Sequence, residues 1–116
     1  MTLNRTETPA IHSAIEFDYR LPPITEDRLN NGVPLFWLSA GVQDVVQVDW
    51  VFPAGLWYES RPSVAHAVAG LLKNGTSKHN AEQIHEALEF YGAQLKVSAG
   101  NDFTVVTLYA LTKHLP

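Results

Sequence analysis

The stretch Asp44–Phe52, DVVQVDWVF, sorts its side chains by alternation. Val46, Val48, Trp50 and Phe52 fall on one side, and Gln47 and Asp49 on the other. A helix would scatter these residues around its circumference, whereas the two-residue repeat of a strand separates them onto two faces. The stretch therefore predicts a strand with one face covered by other parts of the protein and one face wet. Sheets of that kind are built mostly from antiparallel strands.

The flanking sequence supplies partners for such a strand. Upstream, ITEDRLNNGVPLFWLSAG holds two extended runs around Asn31-Gly32, the dipeptide of a two-residue hairpin. Downstream, AQLKVSA and FTVVTLYAL read as two more strands joined by Gly100-Asn101-Asp102. Between the two groups lies PAGLWYESRP, a loop bounded by Pro53 and Pro62. A helix is expected over Val64–Lys73, with Ser63 as its N-cap. A second is expected over Ala81–Tyr91, capped by Asn80 and Gln83 in a capping box and closed by Gly92. Its apolar stripe is Ile84, Leu88 and Tyr91. Three strands, two helices and two strands make an α+β domain with a largely antiparallel sheet. Residues 1–23, with Pro9 and the pair Pro22-Pro23, read as an extended linker or lead-in, and residues 24–116 as the domain itself.

The charge balance narrows the partners. Eight Lys and Arg against twelve Asp and Glu give a net charge of −4, and the basic residues are scattered. Phosphate backbones require concentrated positive charge, so nucleic acid is not an expected partner. The apolar runs fall far short of the roughly 20 residues of a membrane-spanning helix. The first residues, MTLNRTETPA, contain no apolar core of a signal peptide. Cysteine is absent, which excludes disulfides and thiolate ligands and leaves the compartment open.

The first helix, within SVAHAVAGLLKNGT, is where chemistry would sit. On a helical wheel Val64, Val68, Leu71 and Leu72 cluster on one side, expected to face the sheet. His66, Ala69, Gly70 and Lys73 lie on the other, a nearly smooth face open either to solvent or to a closely approaching surface. One imidazole is too few for a catalytic zinc site, which takes three protein ligands. None of His12, His79, His85 and His114 stands four residues from His66. In EQIHEALE, Glu82, His85, Glu86 and Glu89 share a helix face, but a di-iron centre needs four such helices and a solvated acidic face is expected instead. Ser63, His66 and Asp49 can be listed as a triad, with nothing in the sequence to fix their geometry.

In combination, several of these features resemble a known family. They are Asn31-Gly32, Gly55, Glu59, Ala65-His66, Gly75-Thr76 and Gly92-Ala93, in that order and spacing. From about residue 24 to 116 the chain resembles the N-terminal half of a domain of the insulinase, pitrilysin and mitochondrial-processing-peptidase family of zinc metallopeptidases. The resemblance implies half of a metallohydrolase domain, with two helices packed on one face of the sheet. Active members carry His-x-x-Glu-His in the first helix, two histidines for zinc and a glutamate to activate water. Here those positions are His66, Ala69 and Gly70, so the base and one ligand are missing. The family's third ligand, a glutamate on a later helix, would fall beyond Pro116. The resemblance thus implies an inactive peptidase domain, with no zinc bound and no catalytic residue. It would bind peptide or support assembly with a catalytic metallopeptidase domain or subunit, through the face of His66, Ala69, Gly70 and Lys73. The alternative is a part of an active zinc metalloendopeptidase whose metal site lies in another domain or subunit. A half domain leaves apolar surface uncovered, so the isolated chain is expected to form a homo-oligomer.

Overall fold

The computed structural model describes Thr6 and residues 20–115, and most of the expected lead-in over residues 1–23 lies outside them. The chain divides into two compact units, Met1–Gly41 and Val42–Pro116. The first contains a hairpin of β1 (Thr25–Arg28) and β2 (Pro34–Trp37), paired antiparallel with Thr25 opposite Trp37. The turn sits where Asn31-Gly32 places it but is longer than expected. Gly32 N–H donates to Leu29 O at 2.8 Å, and Leu29 N–H to Val33 O at 2.9 Å. Gly32, at φ 84°, takes the left-handed position that ends a three-residue loop. Asn31 Oδ1 accepts from Val33 N–H at 3.1 Å, which fastens the loop to β2.

The second unit is α+β. Its sheet comprises β3 (Val45–Phe52), β4 (Gln94–Ala99) and β5 (Thr104–Leu111), all antiparallel in the order β3-β5-β4. Phe52 stands opposite Thr104 and Val48 opposite Leu108, and Leu108 in turn faces Leu95. This register places Val46, Val48, Trp50 and Phe52 in rows with Val106, Leu108, Leu95 and Val97 on one face. Gln47, Asp49, Thr107, Tyr109 and Lys96 occupy the other. The Lys96 ammonium lies 5.3 Å from the centre of the Tyr109 ring, and Gln47 Nε2 donates to Asp49 Oδ2 at 2.7 Å. The alternation of DVVQVDWVF is thus realised as one apolar and one polar face.

Two helices, α1 (Val64–Leu71) and α2 (Ala81–Phe90), lie on the apolar face and contact β4. Helix α2 begins as its sequence specifies. Asn80 Oδ1 accepts from Gln83 N–H at 2.9 Å, and Gln83 Oε1 from Asn80 N–H at 3.0 Å. It ends in a Schellman motif, with Ala93 N–H donating to Leu88 O at 2.8 Å and Gly92 N–H to Glu89 O at 3.0 Å. Gly92 supplies the positive φ, 58°, that this motif demands. No helix among the described residues is long and apolar enough to cross a membrane.

The core is thin. Among the described residues the buried apolar side chains are Ala65 and Ala69, while Trp50, Phe52, Val64, Val68 and Leu71 remain exposed. Both helices make their main sheet contacts with β4.

Candidate functional site

Helix α1 carries the candidate positions, and the way it starts differs from the sequence expectation. Ser63 does precede the helix, but in the left-handed region at φ 71° and ψ 8°, and its side chain makes no capping bond. Glu59 caps the helix instead. Its Oε2 accepts from Ser63 N–H at 2.9 Å and its Oε1 from Ala65 N–H at 2.8 Å. A carboxylate satisfies two of the helix's unpaired N–H groups and places negative charge at the positive end of the helix dipole. The loop Pro53–Pro62 holds that carboxylate in place through a single 3-10 turn, Leu56–Tyr58, which Tyr58 N–H closes on Gly55 O at 3.0 Å. Replacing Glu59 with Ala is expected to lower stability by about 2 kcal/mol, read as a fall of roughly 10 °C in the thermal midpoint by circular dichroism. A change of under 0.5 kcal/mol would show that the cap is not used.

The far end of α1 runs into Asn74, Gly75 and Thr76. Gly75 adopts φ 149° and bridges to Asn80. Thr76 Oγ1 accepts from His79 N–H at 3.0 Å and from Lys78 N–H at 3.2 Å. The Gly-Thr pair therefore organises the tight connection that delivers Asn80 to the start of α2.

The wheel set Ala69 on the face away from the sheet, whereas the structure buries it. The side chains buried against the sheet are those of Ala65 and Ala69, only 9% and 8% exposed. Val64, Val68 and Leu72, the expected core stripe, are open and line a groove. The helix is turned by about a quarter of a turn from the expected orientation. Two methyl side chains one turn apart let the helix backbone approach β4 closely, and that approach outweighs the larger apolar side chains. Ala69 consequently belongs to the helix–sheet contact. His66 and Gly70 are exposed, and a Cβ built at Gly70 would meet nothing within 4 Å. Lys73 is half-buried and borders a pocket with His85, Leu88, Glu89 and Gln94.

One groove on this side of the sheet lies beside α1. It holds about 410 Å³ and is lined chiefly by Phe52, Val64, Val68, Leu72, Thr104 and Val106, with Glu59 at its end. A second groove of about 410 Å³ lies between α2 and the end of β5, bounded by Ile84, Leu88, Tyr91, Leu108, Ala110 and His114. Both are apolar troughs with few polar groups, suited to taking side chains and unsuited to acid–base chemistry. Neither groove is visible in the sequence, because each depends on how α1 and α2 are rotated on the sheet.

The residues that the sequence resemblance sets at metal positions do not fit zinc by their chemistry. His66 offers one imidazole, Ala69 offers a methyl group turned into the helix–sheet contact, and Gly70 offers no side chain. Among the described residues no group of three or more His, Asp or Glu stands close enough to hold a metal. The rival constellations do not assemble either. Asp49 points from the polar face of the sheet, opposite the helices that carry His66, so no triad with Ser63 forms. Glu82, His85, Glu86 and Glu89 are all exposed on α2.

No protein-family model and no curated protein matches the sequence. Solved structures do match the fold. One is the crystal structure of a peptidase M16 inactive domain from Pseudomonas fluorescens, with a TM-score of 0.69 at 18% identity. The match covers 79% of this chain and 23% of that one, so the chain spans under a quarter of the length of the solved structure it resembles. The second unit and its neighbour share an α+β arrangement, which is the fold the sequence pattern implies.

Proposed function

We propose that this chain is part of a catalytically inactive insulinase-like peptidase domain, which binds peptide or supports the assembly of a zinc metallopeptidase. The observation that carries the reading is the state of α1. The positions that the sequence resemblance assigns to the base and the second ligand hold a buried Ala69 and a bare Gly70, and the likeness of the fold to a peptidase M16 inactive domain supports the reading. A methyl group accepts no proton and a glycine coordinates nothing, so the helix retains its place in the fold without the side chains that would hydrolyse a peptide bond. The apolar groove between α1 and the sheet offers a surface that peptide side chains or a neighbouring domain would cover. The chain's own role is then contact, with any hydrolysis left to a partner.

The test is direct. The purified chain, dialysed against micromolar zinc and then against buffer, is expected to retain far less than one zinc per chain and to leave a fluorogenic peptide library uncut. Stoichiometric zinc that survives dialysis, or cleavage that a chelator abolishes, would refute the reading.

A further inference from the structure

The sequence contains two Asn-Gly dipeptides, Asn31-Gly32 and Asn74-Gly75, and the fold holds them differently. In such a dipeptide the asparagine loses its amide readily, because the nitrogen that follows has no Cβ beside it to hinder attack. In the β1–β2 loop that nitrogen is engaged. Gly32 N–H donates to Leu29 O at 2.8 Å, and Val33 N–H holds the Asn31 carboxamide at 3.1 Å. In the α1–α2 connection it is not. Gly75 stands opposite Asn80, and the bond between the two segments runs one residue on, from Thr76 N–H to His79 O at 2.8 Å. Neighbouring residues of an antiparallel pair alternate in direction, so Gly75 N–H points away from Asn80. Among the described residues neither Gly75 N–H nor the Asn74 side chain makes a hydrogen bond. The connection also requires the glycine, since its φ of 149° is one that L side chains rarely adopt.

We infer that Asn74 is a site of spontaneous deamidation, favoured over Asn31 by the fold, and that its isoaspartate product loosens the start of α2. The step balances without a cofactor. Base removes the Gly75 amide proton, and the nitrogen attacks Asn74 Cγ. The N–Cγ bond forms as Cγ–Nδ2 breaks, and Nδ2 takes up a proton and leaves as ammonia. The resulting five-membered succinimide adds water at either carbonyl, giving aspartate or isoaspartate. Both products place a carboxylate just beyond the C-terminal end of α1, where the helix dipole disfavours it. Isoaspartate also routes the main chain through Cβ, one methylene longer. That length enters the connection in which Thr76 Oγ1 accepts from Lys78 and His79 N–H groups and which delivers Asn80 to its capping box. The inference rests on this connection alone and is independent of the peptidase-domain reading.

Incubation of the chain at mildly alkaline pH, folded or in urea, followed by tryptic mass mapping, tests it. Trypsin cuts after Lys73 and Lys78, so Asn74 reports from the peptide NGTSK and Asn31 from a separate one. Each deamidation adds about 1 Da, and an isoaspartyl methyltransferase with a labelled methyl donor tells isoaspartate from aspartate. In the folded chain Asn74 is expected to react about tenfold faster than Asn31, whose loop must first open. In urea the two rates should converge. Equal rates in the folded chain would overturn the proposal. So would an Asn74 that reacts only in urea, since the Gly75 amide would then be covered. The thermal midpoint supplies the second readout. Aged wild type rich in isoaspartate is expected to melt about 5 °C lower than fresh protein. Asn74→Asp, which adds the charge without the methylene, should fall less than half as far. Asn74→Gln, whose side chain would have to close a slower six-membered ring, should keep its own midpoint through the same incubation. An equal fall in aged Asn74→Gln would overturn the link to residue 74, and an equal fall in Asn74→Asp the role of the added methylene.

Discussion

Gly55→Ala is expected to destabilise the protein by about 3–4 kcal/mol, the range in which overpacking against immobile atoms exceeds the usual effect of a point substitution. Gly55 is buried at φ −84°, so its backbone angles are open to any residue, and space is the constraint. A Cβ there would overlap the backbone carbonyl of Asn101 and come within 2.6 Å of the carbonyl carbon of Asp102. Those atoms cannot retreat, because the loop before α1 is zipped to the β4–β5 turn. Gly55 N–H donates to Asp102 O at 3.2 Å, Leu56 N–H to Gly100 O at 3.0 Å, and Trp57 N–H to Asn101 O at 3.0 Å. Parting the two segments would release these bonds and move Glu59, four residues on, away from the start of α1. Chemical denaturation of the variant should therefore show both a lower midpoint and a loss of helical signal. Gly70→Ala is the control, because it removes a helical glycine whose Cβ meets nothing. It is expected to stabilise by roughly 1 kcal/mol. Equal effects of the two substitutions would mean that the clasp does not constrain Gly55.

Period two and capping chemistry made the strands and α2 legible in the sequence, because both are local. Strand β3 starts one residue inside the expected stretch, β4 and β5 likewise, and the Asn80–Gln83 box forms with both of its bonds. Helix α1 was misread in two places, each for a non-local reason. Ser63 occupies the cap position, but Glu59 reaches it through a turn whose shape depends on the β4–β5 connection, over forty residues away in the chain. The wheel ranked side chains by hydrophobicity, whereas the structure ranks them by how close the backbone must come to β4, which favours Ala65 and Ala69. Valines that looked like core are left beside the groove. A sequence pattern shows which residues are apolar; what covers them is a property of neighbouring surfaces. His66 and Gly70 are singled out in the sequence only by their order relative to other markers, since neither has a local signature.

Introducing a His-x-x-Glu-His sequence by Ala69→Glu with Gly70→His is expected to destabilise the chain by about 2–4 kcal/mol at neutral pH and to create no zinc site. The two substitutions act differently. Gly70 is exposed, and an imidazole there stands in water one turn from His66, a pair that holds zinc weakly without a third ligand. Ala69 is 8% exposed on a helix that contacts β4, so a glutamate there must either lose its hydration or push α1 away from its neighbours. The penalty should depend on pH in one direction. Burial disfavours the ionised form and raises the carboxyl's pKa in the folded state above its unfolded value of about 4.3. Below that value both states are protonated and the charge penalty vanishes. As pH rises above it, the unfolded chain ionises first and is favoured, so the variant loses stability relative to wild type until the folded carboxyl ionises too. Urea denaturation of Ala69→Glu and wild type at pH 4 and pH 7.5 measures this directly. The difference between the two proteins should be smaller at pH 4. A difference independent of pH would mean that the glutamate escapes to solvent, and that the space between α1 and β4 is wide enough for a charged side chain. In that case the burial of Ala69 sets no barrier to a carboxylate at this position.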